Sequence, residues 1–257
     1  MIIYYSAEGN TEWVARRLST LLVDKHVLSV SQSQEDLEKA LLSIEPDEPL
    51  GICFPVHAWG VPLPVQRVLQ MLTKSIEMHT YLYMVCTCGD DCGKTVDHFT
   101  RLLSGKQQLS LAASVQMPNT YVNLPFFDVD SPKVVEKKMK KAEERVEMLA
   151  QRIKNREFLI DVFEGGMPSF KSGLLRKFFL RFLVKDKYFH VKEDICLHCG
   201  KCVTSCPEHN ISMNNELPQW KRIDKCTTCM SCYHHCPVRA IRFGWFTRNK
   251  GQYLHVK

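Results

Sequence analysis

The sequence predicts an α/β protein in which a five-stranded, doubly wound parallel sheet is followed by a small α+β unit. Three observations carry that prediction. Over residues 1–130 short apolar runs alternate with stretches of helical periodicity, as in a sheet wound by crossover helices. Charge changes sign along the chain: residues 1–130 hold 9 Lys and Arg against 15 Asp and Glu, whereas residues 131–257 hold 25 against 13. Eight of the 12 cysteines lie between positions 196 and 236, so the two parts also differ in chemistry. With 45% hydrophobic and 24% charged residues the chain is composed to fold, which excludes disorder as its main state. No apolar run reaches the roughly 18 to 20 residues of a membrane-spanning helix.

The elements follow in order. Ile2–Tyr5 reads as the first strand, and Thr11–Leu22 as a helix with Val14, Ala15, Leu18 and Leu22 on one face. Val27–Val30 is the second strand, Leu37–Leu42 a helix, and Leu50–Phe54 the third strand. Pro62–Leu72 opens on prolines, which helices accept in their first turn. Tyr81–Val85, a helix over Thr95–Leu103, strand five over Leu109–Gln116 and a long helix over Lys133–Arg156 complete the wound unit, expected to end at 158. Residues 159–187 read as a linker with Gly165, Gly166 and Pro168. Within it, Gly173–Lys185 forms a basic amphipathic helix, with Leu174, Leu175, Phe178, Phe179, Phe182 and Leu183 interleaved by Arg176, Lys177, Arg181 and Lys185. Two uses fit it: packing one unit on the other, or lying on a membrane surface. The second unit is expected over 188–257.

That unit carries the strongest signal. Cys196, Cys199, Cys202 and Cys206-Pro207 spell CxxCxxCxxxCP, and Cys226, Cys229, Cys232 and Cys236-Pro237 repeat it. Three thiolates two residues apart wrap three corners of a cubane, while the one beside proline ligates the other cluster. One 4Fe-4S cluster is therefore expected on Cys196, Cys199, Cys202 and Cys236, and a second on Cys226, Cys229, Cys232 and Cys206. Structural zinc, bound by separated CxxC pairs, does not explain a triple CxxCxxC given twice. Each cluster with its thiolates contributes about −2, so the net +12 of residues 131–257 becomes nearer +8. That surface suits an acidic redox partner; without a reading helix or aromatic platform it is no argument for nucleic acid. His198, His209, His234 and His235 neighbour the ligands and are expected to face solvent. A chain opening on the strand-like MIIYY, with thiols in such number, is expected in a reducing cytoplasm.

The first unit offers a ligand site at the ends of its strands. Ser6-Ala7-Glu8-Gly9-Asn10-Thr11 is a turn opening a helix, where N–H groups and the hydroxyls of Ser6 and Thr11 suit a phosphate. The loop Pro55-Val56-His57-Ala58-Trp59-Gly60 follows strand three, and Thr87-Cys88-Gly89-Asp90 follows strand four. In a doubly wound sheet these loops meet at the switch point between strands one and three. Trp59 either stacks on a planar ligand or packs within the fold. With no GxGxxG after the first strand, the pattern asks for a planar ligand with one phosphate, FMN, rather than a dinucleotide. Cys53, Cys86, Cys88 and Cys92 read as buried or spectator thiols, the alternative being a metal site or a redox disulfide beside the flavin.

The chain resembles the flavodoxin/ferredoxin fusion proteins of anaerobic bacteria and archaea. YYSAEGNT, PVHAWGVP, TCGDDCG, SVQMPNTY and the two cysteine motifs around LPQW carry the resemblance along nearly the whole chain. It implies a flavodoxin-like FMN domain before a two-cluster ferredoxin domain, and electron transfer between FMN, the clusters and an external protein. The alternative is a flavin-dependent reductase of a small substrate fed by the clusters, and a third reading is an oxygen or iron sensor. The phosphate loop departs from the flavodoxin pattern at Ala7 and Glu8. A carboxylate facing a phosphate repels it, so Glu8 is expected to turn to solvent or to weaken FMN binding.

Overall fold

The computed structural model describes residues 1–255 except 25, 46, 76–80 and 223–224. The last two residues of the expected second unit, 256 and 257, lie outside the described residues.

Six strands, β1 (Ile2–Tyr4), β2 (Val27–Ser29), β3 (Leu50–Pro55), β4 (Leu82–Cys88), β5 (Leu109–Gln116) and β6 (Leu159–Asp161), form one parallel sheet ordered β2-β1-β3-β4-β5-β6. The first five have the flavodoxin-like order, with its switch point between β1 and β3. Central β4 is buried at all seven positions, because helices cover both faces of the sheet. Helices α1 (Asn10–Leu22) and α5 (Pro132–Lys154) pack on one face, through Val14, Leu18, Val146 and Leu149. Helices α2 (Gln34–Leu42), α3 (Leu63–Ser75) and α4 (Thr95–Leu102) cover the other, through Leu41, Leu69 and Phe99, whose ring stacks on Phe54.

Strand β6 lies past the boundary at 158. Its three residues pair with Leu111–Ala113 at the sheet edge, and Asp161 is held by Arg145 at 2.7 Å and Arg152 at 2.9 Å. A three-residue edge strand with Ile160 exposed lacks the length and burial that announce a strand in sequence. The expected basic helix is longer than its periodicity suggested: right-handed helical backbone runs from Pro168–Phe170 through π-turns at Lys171–Leu175 and Phe179–Leu183.

The C-terminal unit repeats itself at an offset of thirty residues. A cysteine loop and short helix, Lys201–Thr204, precede β8 (Ile211–Asn214); a matching loop and helix, Ser231–His234, precede β10 (Ile241–Phe243). Strand β8 pairs antiparallel with β9 (Leu217–Trp220), and β10 with β7 (Phe189–Val191). Phe189 stacks on Trp220 and meets Phe243 edge-on, joining the two hairpins around a separate core.

Candidate redox site

The eight motif cysteines fall into two groups of four. Cys196, Cys199, Cys202 and Cys236 line one small cavity, walled by Pro218, Val238 and Ile241. Cys206, Cys226, Cys229 and Cys232 line another, walled by Phe189, Ile211 and Trp220. In each group three thiols come from one loop and the fourth from the other repeat. The loops curl because residues between the cysteines take left-handed backbone: His198 and Gly200 in the first, Thr228 and Met230 in the second. The fourth cysteines are oriented alike, with the Asn210 N–H donating to Cys206 Sγ at 3.3 Å and the Ala240 N–H to Cys236 Sγ at 3.1 Å. Four thiols in an apolar pocket, with N–H donors on sulfur, are a donor set that suits iron-sulfur. Burial raises the Cys202 thiol to about 11 and that of Cys226 to about 12.

At the carboxyl ends of β1, β3, β4 and β5 lies a cavity of about 420 Å³. This is within the range of small-molecule sites. Of the sequence-predicted residues, Ser6, Asn10, Thr11, Pro55, Val56, His57, Ala58, Thr87, Cys88 and Gly89 line it. Gly9, Trp59, Gly60 and Asp90 do not. Gly9 caps α1 with a left-handed φ of 96°, and a β-carbon there would come within 2.8 Å of the His255 carbonyl, so the glycine lets the C-terminal tail cross the loop. Trp59 meets Phe179 edge-on at 5.5 Å and lies under Lys171, so it packs the basic helix against the loop. Gly60 leaves room for the Arg176 guanidinium. The Asp90 carbonyl accepts from Gln116 Nε2 at 2.7 Å.

Hydrogen bonds hold the cavity's floor. Thr11 Oγ1 and Thr87 Oγ1 lie 2.7 Å apart, tying the start of α1 to the end of β4. Asn10 Nδ2 donates to the Pro118 carbonyl at 2.9 Å. His57, edge-on to Tyr5, is lowered to about 4 by burial and by Arg176, so it stays neutral at physiological pH. Glu8 does not turn to solvent. Its carboxyl lines the cavity, with Thr120 donating to Oε2 at 3.4 Å and Oε1 buried without a hydrogen-bond partner. Burial raises it to about 8, so at neutral pH it is mainly the uncharged acid and the expected repulsion of a phosphate is largely removed.

Three walls of this cavity were not anticipated from the motifs. Arg176, read as one of several charges on an amphipathic helix, is buried and donates to the carbonyls of His57 at 2.5 Å, Ala58 at 2.9 Å and Val61 at 3.3 Å. It is lowered to about 10 by burial and is still a cation at neutral pH. Residues Met117–Tyr121, after β5, form a second wall. The third is the second cysteine loop, Cys226-Thr227-Thr228-Cys229. Around it, Tyr5 Oη lies 3.3 Å from Thr227 Oγ1, and Ser231 Oγ donates to the Ala7 carbonyl at 3.0 Å. His234, expected at the surface, is buried: Nε2 donates to the Thr120 carbonyl at 2.8 Å and Nδ1 accepts from the Tyr253 N–H at 3.2 Å. Those partners fix one neutral tautomer, and burial lowers the ring to about 4. Only Ser231 and His234, where the first repeat has Lys201 and Thr204, hinted at a buried face.

Cys53, Cys86, Cys88 and Cys92 are all buried. Cys86 and Cys92 share a hydrogen bond, which together with burial raises Cys86 and which lowers Cys92 against the effect of its burial.

Known proteins match in two parts. Residues 189–237 match the 4Fe-4S dicluster domain family. A ferredoxin of Pyrobaculum islandicum is 34% identical over 59 residues, 23% of this chain and 55% of that protein, so the chain spans about half of its length. Pyruvate synthase subunit PorD of Methanothermobacter marburgensis is 36% identical over 78 residues, covering 30% of this chain and 80% of that subunit. Among solved structures, a Fusobacterium nucleatum flavodoxin bound to flavin mononucleotide covers 61% of this chain and 96% of its own, at 12% identity and a TM-score of 0.41. A Streptococcus pneumonia TIGR4 flavodoxin covers 59% and 97%, at 16% identity and a TM-score of 0.38. The fold class itself rests on the strand order above.

Proposed function

Because the chain belongs to the two-cluster 4Fe-4S ferredoxins through residues 189–237 and joins to them a flavodoxin-like sheet, the arrangement of flavodoxin/ferredoxin fusion proteins, we propose that it relays electrons between FMN, two clusters and an external redox protein. One observation carries this reading: Cys226 and Cys229 stand in the wall of the cavity at the β1/β3 switch point. FMN exchanges one or two electrons and a 4Fe-4S cluster one, so the pair converts between the two kinds of traffic.

The chain's own residues would serve this as follows. Ser6, Asn10 and Thr11, at the N-terminal end of α1, suit the phosphate. The backbone of Pro55–Ala58 and Thr87–Gly89 borders the remaining space, and Arg176 locks the first of these loops by its carbonyls. Cys206, Cys226, Cys229 and Cys232 would hold the inner cluster, and Cys196, Cys199, Cys202 and Cys236 the outer. Cys199 is exposed and Leu197 beside it is exposed, which favours the outer cluster as the door to a partner. We extend the first unit to include β6, with residues 188–257 as the second, and place the protein in a reducing cytoplasm. Among the described residues no helix is long and apolar enough to cross a membrane.

The alternative of a reductase with its own substrate gains little from His57, which is neutral, enclosed and packed on Tyr5. The test is flavin, iron and sulfide per chain after anaerobic purification and addition of FMN. About one FMN with about eight irons is expected; eight irons with no flavin taken up would overturn the relay.

A further inference from the structure

The basic helix uses only one side to close the cavity. Ser172, Arg176 and Phe179 face inward, where Ser172 Oγ donates to the Trp59 carbonyl at 3.0 Å and Arg176 holds the loop after β3. The other side carries Phe170, Leu174, Phe178 and Phe182, at intervals of four residues, and these are 47%, 68%, 50% and 51% exposed. In a regular α-helix each four-residue step drifts about 40° around the axis. The two π-turns wind less per residue and offset that drift, so the four side chains stay in one row. Phe178 and Phe182 touch, with ring centroids 5.1 Å apart.

The exposed flank of the row carries Lys177 and Arg181. No Asp or Glu occurs between Glu164 and Asp186, a span holding Lys171, Arg176, Lys177, Arg181 and Lys185. Neither Lys177 nor Arg181 forms an ion pair among the described residues, and the Arg181 guanidinium lies 5.9 Å from the Phe182 ring centre, beside the row. Large apolar side chains standing on the convex side of a helix fit a protein partner only where that partner supplies a matching groove. A lipid interface needs no such groove, and it rewards this combination of Phe and Leu with flanking Lys and Arg.

We propose that this helix lays its Phe170–Phe182 row into the surface of an anionic phospholipid membrane, holding the protein peripherally at the bilayer. The inference does not depend on the electron-relay reading. It joins the attachment site to the cavity, since one helix serves both on opposite sides.

The test is flotation of the full-length, cluster-loaded protein with phosphatidylcholine vesicles, with and without phosphatidylglycerol. Binding is expected only with phosphatidylglycerol, and weakening as salt rises. Replacing Phe178→Glu with Phe182→Glu should abolish flotation. Lys177→Gln with Arg181→Gln should weaken it about fivefold per charge. All four positions are exposed, and an unchanged cluster absorption spectrum confirms that the variants are folded. Wild-type protein that does not float with anionic vesicles, or an apolar-row variant that floats as well as wild type, would overturn the proposal. So would a dimer dissolved by Phe178→Glu in a protein that ignores vesicles, since a second copy would then cover the row.

Discussion

The two cysteine loops share one motif, thirty residues apart, yet they live in different surroundings. In the first, His198, Cys199, Lys201 and Thr204 face solvent. In the second, Thr228 and the whole turn Ser231–His234 are buried, fastened to Ala7, Thr120 and Lys250 by hydrogen bonds from Ser231, His234 and Tyr233. The motif specifies a ligand set, and it is blind to what lies outside the ligands. Docking against the parallel sheet makes one repeat an inner site and leaves the other at the surface. Since potentials of such clusters follow burial and hydrogen bonding, the two are expected to differ in potential although their motifs match.

The most forceful way to break this comparison is to remove one ligand from each loop. Cys199→Ser and Cys229→Ser should each lower iron by about half, from about eight atoms per chain. Electron passage between flavin and the surviving cluster, followed by rapid-mixing absorbance, should persist in Cys199→Ser and stop in Cys229→Ser. Equal behaviour of the two would mean that the loops are interchangeable and that contact with the cavity has no consequence.

A smaller effect is expected at Arg176, which closes the cavity opposite the inner loop. Arg176→Ala leaves three loop carbonyls without their donor and should cost about 3 kcal/mol of stability, with weaker flavin binding. Chemical denaturation and flavin titration read both. Lys177→Ala, on the same helix, provides the control and should leave both unchanged.

Glu8 should give the mildest effect, and its sign can be worked out. The folded chain holds a proton on Glu8 up to about 8, the unfolded chain only to the ordinary 4.5, because burial penalises the carboxylate. Stability is therefore lost as pH rises between those values, and the full loss is present above 8. Glu8→Gln, which imitates the protonated acid, should remove that pH dependence, seen as thermal midpoints at pH 5 and pH 9 that no longer differ through this group. It should also keep flavin affinity at pH 9, where the wild-type carboxylate repels the phosphate.

How much of this was legible depended on the range of the interaction. The central strands could be read because a strand covered on both faces is a near-continuous apolar run, as Leu50–Phe54 shows. Strand β4 runs three residues past its expected end, through Cys86, Thr87 and Cys88, because small side chains between β3 and β5 are buried whatever their polarity. The phosphate loop could be located because strand, turn and helix are neighbours in the chain. The position of Trp59 could not: an aromatic ring beside a ligand loop looks the same whether it faces the cavity or a helix arriving from more than a hundred residues away.

The sequence by itself determined the α/β winding, the two sets of four cysteines as a prediction and the loops gathered at one edge of the sheet. These follow from side-chain period and from thiol spacing, which are local. Tertiary structure alone decided that Arg176 is buried while Lys177 is not, that Glu8 points inward and holds its proton, and that the second cysteine loop rather than the first forms a wall of the cavity. Each of those depends on what packs across the chain, since burial changes the cost of a charge and no spacing within a motif records which face will be covered.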